Sequence, residues 1–322
     1  MDVMFYEVYQ EEEAFIKKYL PLKIKAKYTW KTIQESANQA PPALCISIRS
    51  QSRIPLAWAK SLDGILARTQ GYDHLIAYQK QVDEKIAYGY LGNYCSRAVA
   101  EHAVMAMMFL LRKVKKQMKQ FEQFHRDGLT GFECQGRKAL VVGVGNIGTE
   151  IVDVAKGLRM EVRGVDLEKK LNDLTYVSLE KGVAWADVVF CALPLTPLTS
   201  GMLNHQLLKN VKPGTVFINI SRGEISPVED LKRLLESGVL GGVSLDVYPE
   251  EGFLADCLRG KQKPCRKITK VILALKDLDQ VLLTPHNAFN TEEASEEKAR
   301  HTAKSIVTFL KTKTFPWPVR II

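Results

Sequence analysis

The sequence lacks a long hydrophobic run. Its longest uninterrupted apolar stretch, Ala103 to Leu111, has nine residues between charged flanks, whereas a membrane-spanning helix needs about 20. We therefore predict no membrane partner. The first thirteen residues are acidic and have no basic start followed by an apolar core, so no secretory signal peptide is expected.

Cysteine is sparse, and no two cysteines form a C-x-x-C pair. This pattern argues against a disulfide framework or a zinc site and is typical of small core residues in a reducing compartment. We therefore predict a cytoplasmic protein that holds no metal. The six cysteines are Cys45, Cys95, Cys134, Cys191, Cys257 and Cys265.

Aromatic residues make up only 8% of the chain and do not alternate with its basic clusters, as they would in a protein that binds single-stranded nucleic acid. The net charge is +9, concentrated at Lys17–Lys31, Arg112–Lys119 and Lys261–Lys270. Solvated helix faces and attraction for an anionic cofactor and substrate explain this charge. No nucleic-acid partner is expected.

What the chain does contain, from Lys138 onward, is short apolar strands that alternate with amphipathic helix-like stretches. This alternation predicts a doubly wound parallel sheet, because parallel neighbours need crossover connections. The predicted strands are Ala139–Gly143, Glu161–Asp166, Val188–Leu193, Thr215–Ile220, Val243–Val247 and Val281–Thr284.

The first of these strands ends in a G-x-G-x-x-G motif that runs into a helix-compatible segment. Such glycines allow a tight turn, let backbone approach a pyrophosphate and let the helix pack close to the strand. The residues predicted to contact a dinucleotide are Gly143, Gly145, Asn146, Ile147 and Gly148.

An acidic residue, Asp166, ends the next strand, 18 residues after Gly148. A carboxylate in that position accepts both hydroxyls of an adenosine ribose and repels a 2′-phosphate. The motif and Asp166 together predict that the cofactor is NAD.

The first hundred residues form a different α/β unit, and long helices are predicted over Ala98–Phe124 and Thr291–Lys311. These helices would let the chain leave the first domain and return to it. The fold class is therefore α/β, with a Rossmann nucleotide domain (101–290) and a smaller flavodoxin-like substrate domain (1–100 and 291–322).

Charged residues follow three successive strands of the nucleotide domain. Arg222 follows the fourth, Asp246 and Glu251 the fifth, and His286 the sixth. Ligands of such sheets bind at the carboxyl ends of the strands. Any of these residues alone would be unremarkable, but together beside a dinucleotide motif they predict an active site.

The sequence resembles the D-isomer-specific 2-hydroxyacid dehydrogenase family, and in particular its D-lactate dehydrogenase-like members, almost from end to end. The matching motifs, in order and spacing, are Ala98-Val99-Ala100-Glu101-His102, the glycine motif, Ser221-Arg222-Gly223-Glu224, Leu245-Asp246-Val247 with Glu251, and Thr284-Pro285-His286.

The resemblance assigns a role to each charged residue. It implies that His286 is the general acid–base, that Glu251 pairs with it, and that Arg222 holds the substrate carboxylate and carbonyl oxygen. Asp246 would contact the nicotinamide end of NAD. These roles suit the chemistry, since a planar guanidinium fork stabilises charge on a carbonyl oxygen and histidine exchanges protons near neutral pH.

The resemblance also implies residues that bind the substrate. Gln70 and Gly71 match a loop whose backbone N–H groups bind the substrate carboxylate, and Tyr94 and Phe289 match aromatic residues of lactate-type members. The chain departs from the family at Cys95-Ser96-Arg97, where Ser-Pro is common. The charged segment 252–279 is longer than a short family loop.

We therefore expect an NAD-dependent enzyme that interconverts a small 2-keto acid and the D-2-hydroxy acid, with a homodimer implied by the resemblance. The enzyme alternative within the fold is a formate- or phosphite-type dehydrogenase. A formate enzyme pairs its histidine with glutamine, so Glu251 argues against that enzyme. The alternative from another class is an NAD(H)-sensing, corepressor-like binding protein on the same fold, since such proteins can retain the same residues.

Overall fold

A computed structural model describes residues 1–319, which form two compact units. Unit 1 comprises Met1–Cys95 and the segment from Asn290 onward, and unit 2 comprises Ser96–Phe289. Residues 320–322 of the predicted substrate domain lie outside the described residues. The assignment of unit 1 to the substrate stays a prediction.

Strands and helices alternate along most of the chain. The strands are β1 (Val3–Phe5), β2 (Ala26–Tyr28), β3 (Cys45–Ile48), β4 (Gly64–Ala67), β5 (Ala87–Gly89), β6 (Lys138–Val142), β7 (Glu161–Val165), β8 (Thr175–Tyr176), β9 (Val188–Cys191), β10 (Thr215–Asn219), β11 (Leu240–Leu245) and β12 (Val281–Leu283). The α-helices are α1 (Gln10–Tyr19), α2 (Asp73–Gln79), α3 (Ser96–Leu111), α4 (Val114–Phe121), α5 (Asn146–Gly157), α6 (Leu179–Trp185), α7 (His205–Leu208), α8 (Val228–Glu236), α9 (Glu251–Leu258), α10 (Lys267–Leu275) and α11 (Glu292–Thr312).

Unit 1 is a five-stranded parallel sheet in the order β2-β1-β3-β4-β5. This is the flavodoxin-like order, whose ligand crevice lies between β1 and β3, where the strand order reverses. One apolar cluster, which includes Ile46 and Ile65, lies on one face of the sheet, and another, which includes Phe5 and Phe309, lies on the other. The burial of both faces explains the continuous apolar strands.

Unit 2 is a seven-stranded parallel sheet in the order β12-β11-β10-β9-β6-β7-β8. The order reverses between β6 and β9, so the end of β6, which carries the glycine motif, lies at the switch point. Side chains of the central strands, such as Leu140, Val189 and Phe217, are fully buried. The predicted doubly wound α/β fold is confirmed, and so is each of the six strands predicted for this sheet.

The single helix predicted over Ala98–Phe124 is wrong. The chain forms α3 and α4 instead, separated at Lys113, which has a left-handed φ of 53°. The physical reason lies downstream: the backbone N–H of Phe132 donates to the carbonyl of Leu111 at 3.0 Å, and thereby caps the end of α3. Helical periodicity continues on both sides of this break, so the sequence pattern did not reveal it.

Two further observations concern the described part of the chain. Over residues 1–319, no helix has both the length and the apolar character required to cross a membrane. Within the same residues, no group of three or more His, Cys, Asp and Glu side chains is arranged to hold a metal ion.

Candidate active site

The glycine motif forms the turn between β6 and α5. Gly143 has a φ of 94°, and a Cβ there would lie 2.7 Å from the carbonyl oxygen of Ala192, just after β9. A Cβ on Gly148 would lie 1.9 Å from the oxygen of Gly143. Only glycine therefore allows this turn to pack against both neighbours. At Gly145, the N-cap of α5, the Cβ position is open, with no atom within 4 Å.

Asp166 lies beside this turn, immediately after β7. Its Oδ2 accepts the backbone N–H of Val144 at 2.6 Å, and its Oδ1 accepts that of Glu168 at 3.1 Å. The open space at Gly145 and the N-terminus of α5 suit a pyrophosphate, and the half-buried carboxylate suits ribose hydroxyls. The residues present thus fit a dinucleotide.

Asp246 is almost fully buried at the carboxyl end of β11, with 1% exposure. Its Oδ1 accepts the Thr284 hydroxyl at 2.6 Å and the backbone N–H of Asn287 at 2.9 Å, and its Oδ2 accepts that of Ala288 at 2.9 Å. The carboxylate therefore fixes the loop that carries His286. Its predicted contact with the nicotinamide stays a prediction.

His286 lies within this fixed loop and has a left-handed φ of 53°. Its Nδ1 lies 2.9 Å from Oε2 and 3.0 Å from Oε1 of Glu251. The opposite ring nitrogen, Nε2, thus faces away from the carboxylate, and the side chain is 30% exposed. Phe289 contacts the imidazole edge-on, with ring centroids 6.5 Å apart. An oriented, accessible imidazole beside a carboxylate is suited to proton transfer.

Hydrogen bonds to two preceding residues, Asn219 and Ser221, hold Arg222 in place. The backbone carbonyl of Arg222 accepts a hydrogen bond from Nδ2 of Asn219, a fully buried side chain, at 2.9 Å. The Nη1 of Arg222 donates to the Ser221 carbonyl, also at 2.9 Å. A Cβ on Gly223 would lie 2.1 Å from the backbone nitrogen of Pro249. This glycine therefore lets the arginine segment pack against the segment that leads to Glu251.

The segment 252–279 forms most of α9 and all of α10. Helix α9 begins with Glu251, and Glu250, its N-cap, forms an ion pair with Arg266 at 2.8 Å. This segment therefore fixes the helix that presents Glu251 to His286.

Sequence reasoning missed two side chains in unit 2. Nε2 of His102 lies 3.2 Å from Oγ1 of Thr284 and 3.8 Å from Oδ1 of Asp246. The Tyr248 hydroxyl donates to the carbonyls of Leu245, at 3.0 Å, and Thr284, at 2.8 Å. His102 matched the family motif, but only the packing of α3 against the sheet reveals this contact.

The candidate substrate residues of unit 1 lie after β4 and β5. The Gln70 amide contacts Asn93 at 3.3 Å and the Cys95 thiol at 3.2 Å, and the Gly71 carbonyl accepts the Thr69 hydroxyl at 2.6 Å. Tyr94 is half-buried. Burial, and to a lesser extent the charge of the neighbouring Cys95 thiolate, raise the pKa of its phenol well above the usual range.

Residues 104–288 match the model of the D-isomer specific 2-hydroxyacid dehydrogenase NAD-binding domain. The chain is 30% identical over 291 residues to 2-hydroxyacid dehydrogenase A of Aspergillus oryzae, covering 87% of this chain and 82% of that protein. This chain belongs to the D-isomer specific 2-hydroxyacid dehydrogenase family. It is also 27% identical to a D-specific alpha-keto acid dehydrogenase of Enterococcus faecium, over 86% of each protein.

Solved structures of similar fold include a D-lactate dehydrogenase of Aquifex aeolicus, which is complexed with NAD and lactic acid. Its TM-score is 0.84 at 24% sequence identity, and the match covers 97% of this chain and 96% of that chain. A D-2-hydroxyisocaproate dehydrogenase has a TM-score of 0.85 at 22% identity, over 99% of both chains. The chain is an NAD-dependent D-2-hydroxyacid dehydrogenase, and it shares the fold of these solved structures. These comparisons give no support to the corepressor-like alternative.

Proposed function

We propose that this enzyme interconverts a small 2-keto acid and the D-2-hydroxy acid, with His286 as the general acid–base and Arg222 as the substrate clamp. The observation that carries the proposal is the pairing of His286 with Glu251, which lies 2.9 Å from its Nδ1, at neighbouring strand ends. Bound NADH supplies the hydride that reduces the keto carbon.

Arg222 has the chemistry for the substrate clamp. During reduction, negative charge develops on the carbonyl oxygen, and a guanidinium donates to that oxygen and to the carboxylate at the same time. Such preorganised donors lower the barrier because they stabilise charge that grows in the transition state. The hydrogen bond from Asn219 to the Arg222 carbonyl holds the backbone in place for this role.

His286 then supplies the proton. With Nδ1 held by Glu251, Nε2 faces the substrate and protonates the nascent alkoxide. Glu251 fixes the orientation of the ring and stabilises the imidazolium. In the reverse direction the neutral imidazole accepts the hydroxyl proton of the hydroxy acid.

The substrate contacts in unit 1 belong to the same proposal. The backbone N–H groups of Gln70 and Gly71 bind the substrate carboxylate, and Tyr94 contacts the substrate side chain. Phe289, which lies beside His286 in unit 2, is the second aromatic residue that we assign to substrate binding. The position of the Gln70–Gly71 turn at the carboxyl end of β4 supports this role, because ligands of parallel sheets bind at that edge.

We further propose a cytoplasmic homodimer. Three large apolar side chains near α4 are strongly exposed: Met118 by 67%, Phe121 by 73% and Phe124 by 70%. A second copy of the chain would cover this patch, since contiguous exposed apolar surface marks association sites. The six free cysteines support a reducing compartment. Light scattering coupled to gel filtration would give the mass of a dimer.

The test of the proposed activity is the oxidation of NADH, followed by absorbance, with a panel of 2-keto acids from glyoxylate and pyruvate to phenylpyruvate. Chiral chromatography of the product should reveal the D-2-hydroxy acid. Tight NADH binding without turnover of any keto acid, or formation of the L product, would contradict the proposal.

A further inference from the structure

The charged segment 252–279 of unit 2 contains two of the six cysteines. Cys257 lies in the last turn of α9, and Cys265 lies immediately before Arg266, the N-cap of α10. Residues 258–267 are exposed throughout, whereas Cys257 is half-buried. The two thiols therefore lie at the surface of unit 2, on either side of a short exposed loop.

One backbone carbonyl brings the two cysteines together. The oxygen of Lys263 accepts the thiol of Cys257 at 3.5 Å and the backbone N–H of Cys265 at 2.7 Å. Desolvation, followed by the charge of a Cys265 thiolate, raises the pKa of the Cys257 thiol, so the two sulfur atoms are close enough to interact electrostatically. Disulfides join Cα atoms about 4.4–6.8 Å apart. Because the loop is exposed, it can reach this separation without repacking of the core.

Helix α9, which begins with Glu251, is weakly anchored in the core. Of its eight residues, all of which the structure describes, only Leu254 is buried. Its first turn is held from outside by Arg266, which pairs with Glu250 at 2.8 Å and lies over the ring of Phe253 at 4.0 Å. The Arg266 and Glu250 side chains are 49% and 42% exposed, and exposed ion pairs stabilise little. The position of α9 therefore depends on a weak contact with the loop.

Cys265 and Arg266 are adjacent, so the loop reaches both ends of α9 from one short stretch of backbone. The Arg266 side chain contacts the first turn of the helix, and Cys265 lies close to Cys257 in the last turn. A bond between the two sulfur atoms would attach this stretch covalently to α9. It would remove the conformations in which the loop and Arg266 have left the helix.

We propose that Cys257 and Cys265 are an oxidative modification site, at which hydrogen peroxide produces a reversible disulfide that fixes α9. The exposed Cys265 thiolate attacks the peroxide and breaks its O–O bond, which gives a sulfenic acid and, after protonation of the released hydroxide, one water. The Cys257 thiol then displaces a second water and forms the S–S bond. Two thiols are oxidised, the peroxide is reduced to two waters, and a dithiol reductant reverses the bond.

The first experiment maps the cross-link in the full-length protein. The reduced protein is treated with a slight excess of hydrogen peroxide, alkylated and digested with trypsin in the absence of reductant. We expect the tryptic peptides 234–259 and 262–266 to form one disulfide-linked species, which dithiothreitol separates. Cys257→Ser and Cys265→Ser should each abolish this species. Cys134→Ser, which removes another partly exposed thiol, should retain it.

The second experiment tests whether the bond fixes α9, and it does not depend on activity. Hydrogen exchange, measured by mass spectrometry, should be slower by about tenfold or more for the amides of α9 in the oxidised protein, because the link suppresses local opening. Exchange in α5 should be the same in both redox states. Cys257→Ser, treated with peroxide in the same way, should exchange at α9 like the reduced parent.

Turnover relates this site to the proposed function. Because α9 begins with Glu251, keto-acid reduction by the oxidised enzyme should persist to a higher urea concentration than reduction by the reduced enzyme. Absence of the linked peptides, linkage of either cysteine to Cys134, or a link that leaves α9 exchange and urea tolerance unchanged would overturn the proposal without affecting the catalytic roles. Failure to reduce any 2-keto acid in either redox state would contradict the proposed function instead.

Discussion

Glu251 holds the imidazole of His286 through both of its carboxylate oxygens, which lie 2.9 and 3.0 Å from Nδ1. The two residues come from different strand ends, 35 positions apart in the chain. Each is fixed by its own surroundings: α9 begins at Glu251, and the buried Asp246 holds the loop around His286. This pair is the basis of the first prediction.

Glu251→Gln removes the negative charge and keeps the size and hydrogen-bonding capacity of the side chain. Because the carboxylate fixes the orientation of the imidazole through Nδ1, kcat/KM should fall in the variant both for keto-acid reduction and for hydroxy-acid oxidation. The affinity for NADH should stay the same. The measurement is kcat/KM in both directions, with NADH affinity determined by fluorescence titration. Glu180→Gln, at an exposed glutamate of α6, is the control and should behave like the parent. A Glu251→Gln variant that turns over as fast as the parent in both directions would show that Glu251 does not support the acid–base.

Arg222→Lys keeps the charge of the substrate clamp and removes its planar fork. We expect kcat to fall by about 10²- to 10³-fold, the usual effect of losing a preorganised donor to a developing oxyanion. NADH affinity, measured by fluorescence titration, should stay the same. Arg233→Lys, an exposed residue of α8, should have no effect, whereas near-normal turnover in Arg222→Lys would remove Arg222 from the site.

Asp166 should make the enzyme prefer NADH over NADPH. Its carboxylate is fixed by the N–H groups of Val144 and Glu168 and would lie close to a 2′-phosphate. The exposed Lys169 and Lys170 act in the opposite direction. The ratio of kcat/KM with NADH to kcat/KM with NADPH should be well above one. Asp166→Ala should lower this ratio, whereas Glu168→Ala should leave it unchanged. Equal efficiencies in the wild type would indicate that the lysines dominate.

The buried Lys298 should make stability depend on pH. Its pKa in the folded protein, about 7, lies below the ordinary 10.5, so between these values the unfolded chain binds more protons and stability rises with pH. Relative to Lys298→Met, the wild type should therefore gain free energy of unfolding as pH increases from about 7 to 10.5. Urea unfolding at several pH values measures this difference. A constant difference would indicate that Lys298 titrates normally in the folded state.

Much of unit 2 was predictable because its strands are buried on both faces and therefore appear as continuous apolar runs. The glycine motif marked the switch point, and the sequence also predicted that Glu251 pairs with His286, as it does in the structure. The role of Arg222 stays a prediction. By contrast, β2 (Ala26–Tyr28) is short and includes the exposed Lys27. Its sequence therefore resembles a loop, and only its pairing with β1 makes it a strand.

The buried ion pairs of unit 1, in which Glu12 accepts hydrogen bonds from Arg68 and Lys298, could not be predicted. Arg, Lys and Glu are usually solvent-exposed. The sequence around Arg68 and Lys298 contains no pattern that indicates burial of these two side chains. The side chains that neutralise them are distant in sequence: Arg68 bonds Glu12 across 56 residues, and Lys298 reaches the same carboxylate from the C-terminal helix. Burial of a charge is decided by tertiary packing, which periodicity and composition do not encode.

The central claim is that His286 transfers the proton in a reaction that uses NAD. The most direct measurement is turnover of His286→Ala in both directions, with NADH affinity determined on the same sample. We predict that reduction and oxidation both fall by about 10²- to 10⁴-fold, the usual contribution of a positioned acid–base, while NADH binds as tightly as in the parent. Turnover within a fewfold of the parent, with NADH bound normally, would contradict the account.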